Sequence, residues 1–183
     1  MKRRRDFIQL SAGLLGLPLV SLPSGLASLA DIPGSGPMVK QPGECDTVLV
    51  RENTPITFHL SKMTDSVTSI SLLSEELIPG GAIPEHKHLY EDEYFFFVSG
   101  TGRVMIDDKE FPFQPGTTAF IPRNTWHAIK NTGSEKAFFS FGYSPAGFEE
   151  FFRQIGTPRG QEFRQKPKTE FDEIAKKFGM VFR

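Results

Sequence analysis

The feature that most constrains the fold is a series of short β-type segments between residues 45 and 143. Most are rich in β-branched and aromatic residues, and turn signals such as Pro-Gly, Gly-Gly and Asn-Thr-Gly separate them. No helical period runs through this part of the chain. Many short strands with frequent turns predict an all-β sandwich or barrel. The segments are DTVLV, ITFHL, VTSISLL, EYFFFVS, GRVMID, TTAFIP, WHAIKN and KAFFSFGY.

After residue 143 the pattern changes to a helical one. Apolar residues recur at helical spacing in two stretches, so residues 144–183 are predicted to form one or two amphipathic helices that cover an edge or end of the barrel. The residues that carry this spacing are Phe148, Phe151, Phe152 and Ile155, and then Phe171, Ile174 and Phe178. Residues 31–44, rich in Pro and Gly, are predicted to be a linker or loose arm.

The first thirty residues differ from the rest and have the order of an export signal: basic, then apolar, then small residues. This segment resembles a twin-arginine (Tat) signal, with the pair Arg4 and Arg5 followed by Phe7. It departs from that pattern at Arg3 and Gln9. The resemblance implies a periplasmic or secreted protein, cleaved after Ala27 or Ala30, with no stable membrane insertion afterwards. An uncleaved membrane anchor is the alternative.

Charge and cysteine content exclude several classes of protein. The chain has 21 basic and 22 acidic residues. Removal of residues 1–30 takes away four basic residues and one acidic residue, which leaves a net charge of −4. An acidic chain has no electrostatic footprint for a phosphate backbone, so no nucleic-acid partner is expected. The single cysteine, Cys45, excludes an internal disulfide and a cysteine-rich zinc site. We interpret it as a loop residue, with a reactive or dimer-linking thiol as the alternative.

Two of the four histidines, His86 and His88, stand one residue apart in the stretch EHKHLYEDEYFFFV. In a strand, residues i and i+2 point to the same face, and the turn LYED would return Glu93 towards the pair. A third imidazole, His127, lies on a later segment. Imidazoles and a carboxylate together suit divalent first-row metals. The alternative is a polar turn ahead of an ordinary buried strand.

The spacing of these residues resembles both motifs of a single-domain cupin. The first motif is met by Gly80, His86, His88, Glu93 and Gly100, and the second by Gly116, Pro122, His127 and Asn131. Asn124 stands where the second motif has glycine, and asparagine tolerates the left-handed backbone of such a turn. The C-terminal stretches are comparable to those of quercetin-dioxygenase-like cupins.

This resemblance implies a double-stranded β-helix, or jelly-roll barrel, over residues 45–143. It also implies a divalent metal held by His86, His88, Glu93 and His127. Fe(2+) or Mn(2+) is favoured, while Zn, Ni or Cu also fit. A barrel that uses its pocket without metal is the alternative. A homodimer is possible, because cupin barrels commonly pair.

The expected function is that of a metal-dependent oxidoreductase, most simply a dioxygenase, acting on a small enolic or aromatic anionic compound. Strand parity predicts that Phe95, Phe97, Phe139, Phe141 and Tyr143 face the interior, either as core or as a wall for a flat substrate. A non-catalytic binder of metal or ligand, and a manganese oxalate-type decarboxylase or oxidase, remain alternatives.

Other polar residues near the motifs receive weaker assignments. We interpret His59 as structural, and we expect Glu91 and Asp92 to face solvent or to steer cations towards the mouth of the barrel. Tyr90, Lys87 and Glu91 are the acid–base candidates in the turn. Their scarcity favours redox chemistry over chemistry that needs a dedicated protein base.

Overall fold

Two antiparallel sheets form the body of the protein in the computed structural model, which describes residues 36–51 and 54–183. The predicted signal segment 1–30 and the start of the predicted linker lie outside the described residues. The strands are β1 (Asp46–Arg51), β2 (Thr54–Leu60), β3 (Leu72–Leu77), β4 (Ala82–His88), β5 (Asp92–Ser99), β6 (Gly102–Ile106), β7 (Lys109–Phe113), β8 (Thr118–Ile121), β9 (His127–Asn131), β10 (Ala137–Ser144), β11 (Thr157–Pro158) and β12 (Met180–Phe182). The helices are α1 (Lys62–Asp65), α2 (Glu150–Ile155) and α3 (Lys168–Lys177). None of these helices has the length and apolar character needed to cross a bilayer.

The strands pair in the order β11-β1-β2-β3-β10-β5-β8 in one sheet and β12-β4-β9-β6-β7 in the other. Neighbours in sequence often lie in different sheets: the chain passes from β3 to β4 and from β4 to β5 by crossing between them. This arrangement confirms the predicted all-β barrel with C-terminal helices. It also brings β4 and β5, which carry three of the predicted ligands, onto opposing walls.

The core lies between the sheets and is mostly aromatic. Strand β10 is central to it, because its inward side chains pair with β3 on one side and β5 on the other. Three successive rows of inward residues cross the sheet at Phe139, Phe141 and Tyr143. The rows are Glu75–Phe139–Phe97, Leu73–Phe141–Phe95 and Tyr143–Glu93. These side chains are almost fully buried, which the parity of the sequence predicted for Phe95, Phe97, Phe139, Phe141 and Tyr143.

The segment after residue 144 contributes more than helices. Strand β11 pairs with β1, and β12 pairs with β4 so that Met180 lies opposite His88 and Phe182 opposite His86. Helix α2 packs Phe152 against Phe141 of the barrel, and α3 packs Phe171 against Phe151 of α2. The chain that follows the barrel therefore covers the free edge of the strand that carries two predicted ligands.

Two details differ from the sequence-based prediction. The segment Val67–Leu73 was expected to be one strand, but β3 starts at Leu72 and continues to Leu77. The residues before it form α1, whose C-cap Ser66 lies in the left-handed region, and a loop with exposed Ile70. Strand β7 was not predicted, since Pro112 interrupts its pattern. A proline is tolerated here because β7 is the edge strand of its sheet.

Candidate metal centre

Four side chains from three strands converge inside the barrel. His86 and His88 project from the same face of β4, and β9 places His127 directly opposite His86 in the sheet register. Glu93 approaches from β5 in the facing sheet. One ligand atom from each of the four lies within 4.8 Å of all the others, and all four residues are buried. The structure therefore brings together the four residues predicted as ligands; their binding of a metal stays a prediction.

Backbone carbonyls orient two of the imidazoles. We assign the Nδ1–H of His86 as donor to the carbonyl of Pro84 at 2.7 Å, and that of His127 as donor to the carbonyl of Thr125 at 3.1 Å. Such bonds fix the ring and direct Nε2 towards the cluster. The Nε2–H of His127 donates to Oε2 of Glu93 at 2.7 Å. A bound cation would take the place of this shared proton.

The electrostatics of the cluster give the ionised carboxylate and one of the neutral imidazoles that a metal requires, whereas His127 holds a proton that a metal would displace. Burial alone would raise the pKa of Glu93, but the adjacent imidazoles of His88 and His127 hold it well below its usual range, so the carboxylate is ionised. Burial, reinforced by His127 and His88, lowers the pKa of His86 to about 3, so this ring is neutral. The pKa of His127 is raised despite its burial, because Glu93 accepts its proton.

His88 gives the test of whether these residues fit a metal ion. Its side chain is 2% exposed, yet neither ring nitrogen has a hydrogen-bond partner among the described residues. A buried, unpartnered imidazole is costly, and such groups in native proteins usually have a partner. Its Nε2 lies 3.3 Å from Oε2 of Glu93, inside the cluster. Three imidazoles and one carboxylate are a donor set for divalent first-row metals, and they fit a metal at this place.

A cavity of about 470 Å³ adjoins the cluster. His86 and Glu93 line it, while His88 lies behind them, packed against Phe148 and Tyr143. The predicted aromatic residues divide into two groups. Phe95, Phe141 and Tyr143 line the cavity. Phe97 and Phe139 are packed in the core, where Phe97 stacks on Phe113 at 4.0 Å.

The turn residues lie elsewhere than predicted. Asp92 forms a salt bridge with Arg123 at 3.1 Å, so its charge is neutralised rather than left to steer cations. Glu91 was expected to face solvent, but its Oε2 is buried, and burial raises the pKa of its carboxyl to about 7. Tyr90 is exposed, and Lys87 lies over the ring of Trp126. None of these residues lines the cavity.

His59 has the structural role that the sequence suggested, and Asn131 is bonded to the backbone of the turns around it. The Nε2 of His59 lies 2.8 Å from the hydroxyl of Ser74, and its Nδ1 faces the thiol of Cys45 at 3.7 Å. Asn131 donates to the carbonyls of Leu77 and Glu135 and accepts from the amide of Gly133. Asn124 has φ +67°, the left-handed conformation that its motif position requires.

Charged residues in the cavity wall were missed from the sequence. Glu75 and Arg51 form a salt bridge there, and Lys166 and Lys168 complete the charged lining. The alternation of Leu73, Glu75 and Leu77 carried a signal for the first of these: strand parity turns all three side chains inward. No local signal marks the lysines, because only long-range packing brings them to the cavity.

Comparison with known proteins agrees with this fold. Residues 73–141 match the family model described as "Cupin domain". The fold is shared with KdgF from Halomonas sp. (15% identity, 63% of this chain and 99% of that one, TM-score 0.54). It is also shared with a mutant of Bacillus subtilis oxalate decarboxylase OxdC (19% identity, 55% of this chain and 28% of that one, TM-score 0.50). At these identities the likeness shows the fold alone.

Two curated relatives are similar over longer stretches. Quercetin 2,3-dioxygenase of Bacillus subtilis (strain 168) is 30% identical over 152 residues, which are 81% of this chain and 44% of the relative. Polyketide synthase CurC of Streptomyces cyaneus is 29% identical over 117 residues, which are 64% of this chain and 69% of the relative. The chain thus spans less than half the length of the dioxygenase, and 49% of Protein SchB of Streptomyces halstedii.

Proposed function

We propose that the protein is a metal-dependent oxidoreductase of the dioxygenase type, acting on a small enolic or aromatic anionic compound. The observation that carries the proposal is the position of the His86, His88, Glu93 and His127 cluster at the wall of an aromatic cavity. The similarity to a protein named quercetin 2,3-dioxygenase supports the same reaction class. Fold similarity contributes little, since one fold hosts many activities.

The cavity wall suits a flat organic molecule. Its volume of about 470 Å³ lies in the range of small-molecule sites. The rings of Phe95 and Phe141 are nearly parallel, with 15° between their planes and 6.0 Å between their centroids. Together with Tyr143 they offer apolar ring surface beside the cluster. Such a wall would orient a planar substrate and exclude water from its reacting end.

Two of the four proposed ligands face the cavity among the described residues. His86 and Glu93 border the cavity, whereas the rings of Tyr143 and Phe148 cover His88. A substrate oxygen would therefore approach from the side of His86 and Glu93. A divalent metal bound here would polarise that oxygen or exchange an electron with dioxygen. Glu93, ionised within the cluster, supplies the only carboxylate among the proposed ligands.

Metal content is the first quantity to measure. We expect Fe(2+) or Mn(2+) at one per chain after purification without chelators or nickel affinity, and loss of that metal in His86→Ala. His59→Ala is the matched control, because His59 is bonded to Ser74 outside the cluster and should leave the metal in place. Zinc, copper or no metal would favour a non-catalytic binding protein.

Oxygen consumption tests the reaction itself. We expect metal-dependent uptake with at least one member of a panel of flavonols, β-diketones and catechols, lost in His86→Ala and retained in His59→Ala. No uptake across the panel with a fully loaded protein would contradict the proposal. Release of carbon dioxide from oxalate would instead favour the decarboxylase alternative.

We further propose that the protein is exported, on the strength of residues 1–30 of the sequence. A twin-arginine route carries folded proteins, so iron or manganese could be loaded before the protein meets competing copper and zinc. Replacement of Arg4 and Arg5 by lysine should then retain the protein in the cytoplasm. Unchanged export of that variant would contradict the proposal.

A further inference from the structure

The cavity wall holds a buried carboxyl, Glu75, with apolar register neighbours. Glu75 is 3% exposed on the inward face of β3, and its register neighbours Ile56 and Phe139 are apolar. A buried ion pair is seldom more stabilising than an apolar residue of similar size. Glu75 is bonded to Arg51, and both side chains line the cavity. The pair therefore points to a role in the cavity rather than in the core.

A strand irregularity aims Arg51 inward. Strands β1 and β2 change register between Leu49 and Arg51, and Val50 and Arg51 both line the cavity. Consecutive residues of a regular strand would face opposite sides, and a bulge is a common way to redirect a side chain next to a site. The side chain of Arg51 is 41% exposed and bonds Glu75 through Nη2. In the part of the chain that the structure describes, this is the only hydrogen-bond partner of the guanidinium.

The pair lies away from the cluster along the cavity. Glu75 pairs with Phe139, whereas Glu93 pairs with Tyr143. Four residues along β10 correspond to about 13 Å of backbone. The apolar rings of Phe141 and Phe95 fill the row between them and line the cavity. A molecule bound at the cluster would thus reach Arg51 only across this aromatic wall.

The two lysines in the wall are less suited to bind a ligand. Lys166 is paired with Glu170 at 2.6 Å and Lys168 with Asp172 at 2.6 Å, each in an i,i+4 pair of the α3 region. Lys168 is 85% exposed. Arg51 differs because its partner is an inward carboxyl, which holds the guanidinium at the cavity and leaves Nε and Nη1 to donate. These remaining N–H groups can donate charge-assisted hydrogen bonds to a carboxylate of a ligand.

We propose that Arg51 anchors a carboxylate of the substrate at the end of the cavity remote from His86 and Glu93, and that Glu75 positions the guanidinium for it. The substrate is then a planar aromatic or enolic acid whose carboxylate lies at the opposite end from its metal-binding oxygens. This inference rests on the proposed function in one respect: it assumes that the metal-binding oxygens of the substrate lie at the cluster of His86, His88, Glu93 and His127.

Two matched probes measure how much the carboxylate charge of a ligand contributes to binding. 3,4-Dihydroxycinnamate and its primary amide share the ring and the catechol, and differ in the charge at the far end. Their dissociation constants are measured by calorimetry on the full metal-loaded protein without oxygen. We expect the wild type to bind the carboxylate about ten- to hundredfold more tightly than the amide, as for a charge-assisted hydrogen bond. Arg51→Gln should bring this ratio close to one, chiefly by weakening the carboxylate.

Two further variants separate the role of Arg51 from the effects of neighbouring charges. Lys168→Gln removes a cavity-lining cation and should keep the wild-type ratio. Because Arg51→Gln leaves Glu75 buried without its partner, the double variant Arg51→Gln/Glu75→Gln tests the same loss without an unpaired carboxyl. A wild-type ratio near one, or a ratio kept in both Arg51 variants, would overturn the inference.

Failure of this inference is distinguishable from failure of the proposed function. Oxygen uptake on a neutral flavonol without any preference for the carboxylate would refute the anchoring role of Arg51 alone. A carboxylate preference that Arg51→Gln abolishes, in a protein that consumes no oxygen with any substrate, would support the anchoring site and refute the dioxygenase.

Discussion

The carboxyl of Glu75 makes the stability of the protein depend on pH in a direction that the structure fixes. Burial raises its pKa from an ordinary value near 4.5 to about 7, although Arg51 opposes the rise and Glu93 adds to it. The folded chain therefore holds this proton more tightly than the unfolded chain does. The Glu75 contribution to stability is full below pH 4.5 and is lost as the pH rises through 7.

Glu75→Gln removes this dependence while it keeps the shape of the side chain. Linkage with these two pKa values gives a loss of about 2–3 kcal/mol from the wild type between about pH 5 and pH 8. We expect the free energy of unfolding of Glu75→Gln, relative to wild type, to rise by that amount over the same interval. The measurement is urea unfolding of both proteins at both pH values, with chelator present so that the metal-free cluster is common to them.

The difference in unfolding free energy between the two proteins removes the pH dependence of every other titrating group that the substitution leaves unchanged, including the histidines. A relative stability equal at the two pH values would mean that Glu75 titrates near 4.5 and is not desolvated as described. A fall instead of a rise would mean that the attraction of Arg51 outweighs burial. Either result would refute the reasoning.

Three further predictions concern the metal cluster and the turns around it. Glu93→Ala should abolish tight metal binding and Glu91→Ala should not, as measured by metal content after dialysis; the reverse would remove Glu93 from the ligand set. Asn131→Ala should lower the free energy of unfolding by about 3 kcal/mol, because one buried and two partly buried backbone groups lose their partner; a loss below about 1 kcal/mol in urea unfolding would show that water replaces the amide. Asn124→Gly should change stability little, whereas Asn124→Val should cost about 1–2 kcal/mol at φ +67°; equal thermal midpoints for the two variants would contradict the left-handed turn.

The convergence of the predicted ligands was predictable because it depends on local rules. Side chains at i and i+2 of a strand share a face, so His86 and His88 had to project together. A short turn after them returns the chain, so Glu93 had to approach the pair from the next strand. His127 is different: its place opposite His86 depends on pairing between β4 and β9. Only the resemblance to the cupin motif anticipated it.

The cavity was not predictable in the same way. Its charged end depends on the register change before Arg51, which no local pattern marks. Part of its remaining wall comes from residues after the barrel, such as Phe171 and Phe182. Their positions follow from the packing of α3 and the pairing of β12 with β4, which join parts of the chain far apart in sequence. The predicted export and dimerisation remain predictions.

Two separate stretches of the gene encode the lining of the cavity, because β12 pairs with β4. One stretch encodes the barrel with His86 and Glu93, and the other, beyond residue 144, encodes the lining residues Lys166, Phe171 and Phe182. Mutations in the second stretch would change which molecules fit into the cavity without replacing a predicted ligand. New substrates could thus arise by variation of the tail while the metal chemistry is inherited unchanged.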